Sequence, residues 1–461
     1  MITFMEFYNR HEEIKRLKTA LEANQPRLIV VYGRRRIGKT RMLQQIVKKG
    51  DIYFIADQRE TKLQIASFAR LVATQIDSFD KVTYPDWEIF FRSIHQRIKK
   101  GTTLFIDEFP YLVKNSSELT SILQKLIDEK EKLNFHLVLS GSSQQMMQKM
   151  VIDHHSPLYG RANEIIKLTS MRVGWLKKAL NCSYGEAIEE FSIWGGVPRY
   201  WEIRNDSASL KEAVKNQVFN IHGLLHEEPM RLFLDDTRDT VQMHTLISII
   251  ATGANRLSEI ASRIGKPATQ LNRPLQKLIE LGYINREIPY GVSKRNSKKT
   301  LYKVSEPFML FYYRFIVPEK TTLELGYVDQ VYKQVFEKQF SSHCAEIWEN
   351  MCRQALPNLF EHKLFNPGSR WWGNNSEKEQ MEIDIVADSV DHQEIVIGEA
   401  KWSSTRNMAA IIKELDKKVK TFPLVGSQRI ILALFVKQNT LKKIPDNVFI
   451  FTPQDIVKAL T

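Results

Sequence analysis

The chain of 461 residues has only three cysteines, Cys182, Cys344 and Cys352. They stand in no C-x-x-C spacing and form no even set, which excludes a cysteine zinc site and a disulfide framework and suits a reduced, cytoplasmic compartment. An apolar run of the ~20 residues needed to span a bilayer is also missing. The opening MITFMEFYNRHEE turns charged within a few residues and lacks the apolar centre of a secretory leader. Internal repeats and low-complexity linkers are absent too. The expectation is a soluble protein with no membrane association.

What is present is a globular composition, 43% hydrophobic and 10% aromatic. The length is too great for one core and implies about two to four domains. Lys and Arg outnumber Asp and Glu by 66 to 53, a net charge of +13. That excess favours a polyanionic partner.

Residues 9–23 form an amphipathic pattern with Ile14, Leu17 and Leu21 on one face. Short apolar runs of strand character follow at 27–32, 51–56, 103–108, 135–140 and 163–168. Helical patterns lie between them, at 60–75, 87–99 and 117–130. Strands alternating with helices predict a parallel sheet covered on both faces.

Directly after the first run, Gly33-Arg34-Arg35-Arg36-Ile37-Gly38-Lys39-Thr40 matches G-x-x-x-x-G-K-[ST], with a helical pattern from Arg41 onward. The glycines let backbone N–H groups curl around phosphates, where a helix N-terminus adds positive potential. Gly33, Arg36, Ile37, Gly38, Lys39, Thr40 and Arg41 are the nucleotide-binding candidates. Lys39 should reach the β- and γ-phosphates and Thr40 should ligate Mg²⁺. Downstream, an apolar strand ends in Asp107 and Glu108. Asp107 is placed to hold Mg²⁺ and Glu108 to orient or deprotonate the attacking water. In LVLSGSS, Ser140 or Ser142 is a candidate γ-phosphate sensor, with a Ser-rich turn as the alternative. Arg161 in SPLYGR is a candidate arginine finger, in cis or from a neighbouring subunit; a surface arginine is the competing reading.

GRRRIGKT, FIDEFPYL, LSGSS, SPLYGR and GGVPRY together resemble the archaeal-type P-loop ATPases, relatives of the AAA+ and STAND NTPases. The opening FYNRHEEIKRL is similar to that family's start, a segment that helps form the adenine pocket. The resemblance covers residues 5–235 and implies an ATPase with a helical lid. It also implies that Pro198, in GGVPRY, borders the base or ribose. ATP is expected over GTP, since no guanine-reading N-K-x-D motif is visible.

Residues 239–304 read as three helices and a hairpin. Leu246, Ile249 and Ile250 line the first helix, Leu257, Ile260, Ala261 and Ile264 the second, and Leu271, Leu275, Leu278 and Ile279 the third. This is the pattern of a winged helix-turn-helix. Its wing carries Lys294, Arg295, Lys298 and Lys299, enough to contact several DNA phosphates. Pro274 is awkward: either the third helix begins near Arg273, where a proline is tolerated in the first turn, or the helix is kinked. A protein-docking winged helix is the alternative to a DNA reader.

In the tail, residues 382–402 read EIDIVADSVDHQEIVIGEAKW. Alternate side chains of a strand share a face, so Glu382 and Asp384 point one way and Glu399 and Lys401 share a face on the next strand. Two antiparallel strands would bring Asp384, Glu399 and Lys401 together. Carboxylates there bind Mg²⁺ and a lysine steadies a hydroxide nucleophile. The arrangement is that of PD-(D/E)xK nucleases, in which a preceding helix supplies another acid. Glu349 is the first candidate and Glu346 the second. Alternating charge on an exposed edge strand gives the same pattern. SRWWGNNSEKEQMEIDIVA, GEAKW and IWENMC resemble the C-terminal domain that accompanies many of these ATPases, long labelled as of unknown function and similar to the PD-(D/E)xK superfamily.

The expected fold is therefore α/β throughout. A P-loop core (1–170) and helical lid (171–235) precede a winged helix (236–304). A connector (305–335) then leads to a restriction-endonuclease-like domain (336–461). The expected function is ATP hydrolysis that gates a Mg²⁺-dependent nuclease on DNA. The alternative is a nucleotide-controlled regulatory switch whose C-terminal domain binds nucleic acid without cutting it. No helicase motif set follows Glu108, which disfavours a DNA motor.

Overall fold

The computed structural model describes residues 6–129, 133–236, 239–293, 299–403, 407–441 and 443–461. They divide into two compact units, one built on Phe7–Ser170 and the other on Met171–Met230 and Asp239–Thr461. No helix among the described residues is long and apolar enough to cross a membrane.

The first unit opens with the helix His11–Leu21. Its sheet comprises β1 (Leu28–Tyr32), β2 (Ile52–Ile55), β3 (Thr102–Asp107), β4 (Phe135–Gly141) and β5 (Glu164–Lys167). The order is β2-β3-β4-β1-β5, and every pairing is parallel. Strands β1, β3 and β4 are buried along their whole length, which is why they read as unbroken apolar runs. One face packs Phe54, Phe68, Phe90 and Phe91 under the helices Thr61–Val72 and Trp87–Arg97. The other packs Ile29, Val31, Met42 and Leu17. The strand order positions the site. β4 lies between β1, which feeds the glycine loop, and β3, which ends in the two acids, so all three C-terminal ends open on one edge.

The second unit begins with the helices Val173–Leu180, Tyr184–Trp194 and Pro198–Asn205. The helices Thr240–Ala251, Leu257–Ile264 and Ala268–Glu280 follow, with β6 (Ile284–Glu287) and β7 (Leu301–Val304) as an antiparallel hairpin. On the first of these helices Met243, Leu246, Ile247 and Ile250 are buried. Ile247 thus takes the inward place expected for Ile249, completing an i, i+3, i+4, i+7 stripe. The third helix begins at Ala268, not near Arg273, and runs through Pro274. Burial of Leu271, Leu275 and Leu278 on either side of the proline offsets the backbone bond that its missing N–H forfeits.

The tail forms a five-stranded mixed sheet of β8 (Ser369–Asn374), β9 (Gln380–Asp388), β10 (Glu394–Lys401), β11 (Arg429–Val436) and β12 (Val448–Phe451). The order is β12-β11-β10-β9-β8; β8, β9 and β10 are antiparallel neighbours, and β10, β11 and β12 are parallel. The helix Glu337–Ala355 precedes the sheet and the helix Met408–Thr421 connects β10 to β11. Sequence pattern gives two strands ahead of that connecting helix; the structure has three. The extra one, β8, carries a register shift between Ser369 and Trp371, and such a bulge breaks the alternation by which a strand is read.

Candidate functional site

At the end of β1 the chain enters the glycine loop. Gly33 sits so tightly that a Cβ there would lie 2.5 Å from the Leu168 carbonyl oxygen and 2.6 Å from the Ile37 side chain. Gly33→Ala should therefore displace the loop, lower stability by ~1–3 kcal/mol and weaken nucleotide binding, as thermal unfolding and a fluorescent-nucleotide titration would report. Gly38 adopts φ 94 as the residue before the helix Lys39–Gln44, a left-handed conformation that glycine takes at no steric cost. Lys39 is buried, and its ammonium donates to the carbonyls of Gly33 and Arg34, both at 3.0 Å.

Across the edge, the Thr40 hydroxyl donates to Asp107 Oδ2 at 2.6 Å, and the Tyr53 hydroxyl donates to the same oxygen at 2.8 Å. Burial and the Asp107 charge push the Tyr53 hydroxyl well above its usual range, which keeps it a donor. A buried carboxylate beside a hydroxyl is a donor set suited to a hard divalent cation, so Thr40 and Asp107 fit Mg²⁺.

Glu108 leaves β3 in a left-handed conformation, φ 54, which costs a non-glycine residue energy and is typical of positions under functional constraint. Its carboxylate accepts from the Ser142 hydroxyl and from the Ser142 N–H, the latter at 3.2 Å. Ser140 is fully buried on β4, and its hydroxyl has no hydrogen-bond partner among the described residues. Of the two serines, Ser142 is the one brought to Glu108. Arg161 donates to Asp128 at 2.6 and 2.8 Å and to the carbonyls of Pro157 and Tyr159. Its guanidinium is thus engaged in a local ion pair. Pro198 starts its helix in the second unit, two residues before the buried Tyr200, whose hydroxyl donates to Glu228 at 2.9 Å.

Two further residues support this site. Arg10 is buried and donates to the carbonyls of Thr169 at 2.6 Å and Ile37 at 3.4 Å, clasping the loop to the end of β5. Tyr53 was legible only as a hydroxyl within an apolar strand.

The second constellation lies on β9 and β10. Gly398 pairs with Ile385, so Asp384 and Glu399 meet across the next rung. Lys401 bridges them, with its ammonium 3.4 Å from Asp384 and 3.0 Å from Glu399. Asp384 also accepts the Ala400 N–H at 3.1 Å. Burial raises the Asp384 carboxyl, but Lys401 and that N–H outweigh it and hold the group below its usual range. Burial and the Asp384 charge push Glu399 up. Burial alone would lower Lys401, yet the two carboxylates hold it above its usual value. Lys418 makes a further ion pair with Glu399. Sequence reading missed it, although buried Leu415 marks the inward face of its helix and Lys418 stands three residues on, along the same face.

On the helix Glu337–Ala355, burial and the Asp384 charge push Glu349 up to about 7. Glu346 is instead paired with Arg314 at 2.7 Å. Among the described residues, the only three metal-ligating side chains with donor atoms within 4.8 Å of one another are Asp153, His154 and His155. Glu349, Asp384 and Glu399 do not close to that distance, and the Lys401 ammonium lies between the last two.

Of the wing residues, Lys294, Arg295 and Lys298 lie outside the described residues. Lys299 reaches β8, its ammonium 3.5 Å from where a Gly373 Cβ would stand.

A parallel sheet with a glycine loop after β1 and paired acids after β3 defines a P-loop ATPase domain. Residues 7–200 match the model of an ATPase domain found predominantly in Archaea. Residues 312–412 match a family of archaeal and bacterial proteins of unknown function. The chain thus joins an archaeal-type ATPase domain to a C-terminal domain of that second family. An uncharacterized protein of Methanocaldococcus jannaschii is 28% identical over 429 residues, spanning 91% of this chain and 92% of its own. A Walker-type ATPase of Pyrococcus abyssi superposes with a TM-score of 0.51 at 20% identity, over 68% of this chain and 100% of its own. That likeness is one of fold.

Proposed function

We propose that this chain hydrolyses ATP at its glycine loop and, under control of that nucleotide, cleaves nucleic acid at the acidic site of its C-terminal domain. The observation that carries the second half is the Asp384–Lys401–Glu399 group on adjacent antiparallel strands, whose two carboxylates are buried. A solvated edge strand would leave these groups in water, whereas Asp384 and Glu399 are buried. A helix, three antiparallel strands, a helix and a parallel strand are also the succession expected of a PD-(D/E)xK nuclease.

In the ATPase half, Lys39 binds the β- and γ-phosphates, Thr40 and Asp107 hold Mg²⁺, and Glu108 orients the attacking water. Ser142 positions Glu108. In the nuclease half, Asp384, Glu399 and Glu349 are the carboxylates that a hard cation would draw together, displacing the Lys401 ammonium from between the first two. A divalent ion held there would polarise the scissile phosphate and lower the pKa of bound water. Lys401 stabilises the hydroxide and the charge that develops on phosphate, and Lys418 keeps Glu399 oriented. The three helices and hairpin act as a winged helix on DNA, in keeping with the +13 net charge.

Because Glu349 titrates near neutrality, protons compete with metal at this site. The ionised form binds metal, so affinity should rise as pH climbs through about 7 and weaken below it. A Mn²⁺ titration at several pH values checks this; an affinity flat across that range would remove Glu349 from the ligand set. For cleavage itself, wild-type protein with Mg²⁺ or Mn²⁺ and ATP should cut labelled DNA. Binding without any cutting of DNA or RNA would favour the regulatory switch.

A further inference from the structure

The hairpin of the middle module is docked on the C-terminal sheet. The Tyr290 N–H donates to the Arg370 carbonyl at 2.9 Å, and the Tyr290 hydroxyl donates to Asp388 at 2.6 Å. This places Glu287, the last residue of β6, beside the acidic site. Glu287 lies 3.5 Å from Lys303 of β7, 3.7 Å from Arg353 and 3.8 Å from Arg370. One of its carboxylate oxygens is buried and accepts no hydrogen bond among the described residues.

Arg353 is the shared element. It is buried, and its Nη1 donates to the Asp384 backbone carbonyl at 3.0 Å. The same nitrogen is 3.8 Å from the Glu349 carboxylate. One guanidinium, fixed by the backbone of one metal-ligand candidate, is therefore divided between Glu349 and the hairpin's Glu287. Glu287 faces Nη2 and Glu349 faces Nη1, neither at hydrogen-bonding distance, so the two carboxylates draw on one positive charge. With Glu287 withdrawn, Arg353 has Glu349 as its remaining carboxylate, and a carboxylate paired with arginine is a poor metal ligand.

We propose that Glu287 is a positioning residue for the C-terminal metal site: by sharing Arg353 it leaves Glu349 available to the cation, so the site is complete only while the hairpin is docked. This inference rests on the reading of Asp384 and Glu399 as a metal site. It gives the middle module a direct means of control, because a ligand that lifts the hairpin from β8 weakens metal binding without touching a ligand residue. Residues that orient metal ligands commonly contribute ~10- to 100-fold to metal affinity, and an effect of that size is expected here.

The test is Mn²⁺ binding to the full chain, followed by electron paramagnetic resonance without nucleotide. Thr40→Ala and Asp153→Ala are included throughout, so that neither the glycine-loop site nor the Asp153–His154–His155 group reports. Asp384→Ala should abolish binding; if it does not, the metal-site reading itself fails. Given that loss, Glu287→Gln should weaken binding by ~10-fold or more with the thermal midpoint unchanged. The same substitution should have no further effect when combined with Glu349→Gln. Unchanged affinity in Glu287→Gln overturns the inference alone, as does an effect that persists in the Glu349→Gln background, since either shows that Glu287 does not act through Glu349. Tyr290→Phe, which loosens the hairpin away from the acids, should weaken Mn²⁺ binding in the same direction. Full affinity in Tyr290→Phe would overturn the dependence on docking.

Discussion

Glu108→Gln should bind ATP and turn it over slower by ~10²- to 10⁴-fold, the usual contribution of a positioned general base. The amide keeps the size of the carboxylate and can still meet Ser142, so the fold and the nucleotide affinity should survive. What is lost is the charge that draws a proton from the attacking water. Lys39→Ala differs in kind. Its ammonium rests on two loop carbonyls, and on the proposed role in holding the phosphates its loss should remove nucleotide binding as well as turnover. A filter-binding assay beside a phosphate-release assay separates the two outcomes. Turnover by Glu108→Gln at the wild-type rate would assign the water to another residue.

Lys401→Ala should reduce cleavage by ~10²-fold or more, the scale of removing one charged group aimed at a developing oxyanion. It should leave Mn²⁺ binding intact or tighter, since Lys401 lies between the two carboxylates that the ion would occupy. Loss of cutting with retained metal identifies the lysine as acting on the substrate, whereas loss of both would make it a support for Asp384 and Glu399. Lys418→Ala should be milder, because Lys418 pairs with Glu399 alone among the acids of the site.

Much of this was readable in the amino-acid order because short-range patterns decide it. The strand, glycine loop and helix around Lys39 are contiguous, and strand alternation places Glu399 and Lys401 on one face without knowledge of the fold. The register of β9 on β10 that brings Asp384 to them is a long-range fact, and a slip of one residue would turn Asp384 to the opposite face. Other features depend on packing. That Ser142 and not Ser140 reaches Glu108 depends on where β4 ends relative to β3. Arg161 carries no mark of its pairing with Asp128, which lies 33 residues away in sequence. Arg353 resembles any helix arginine until the hairpin is seen beside it, and β8 hides behind its bulge.

The central claim is that one chain carries two separate phosphate chemistries, one at Glu108 and one at Asp384. It is tested most directly by following ATP turnover and strand cleavage in the same reaction for wild type and Asp384→Ala. The account predicts cutting by the wild type, and for Asp384→Ala full ATP turnover with no cut product. Cutting that persists in Asp384→Ala, or a wild type that never cuts while hydrolysing ATP, would contradict it.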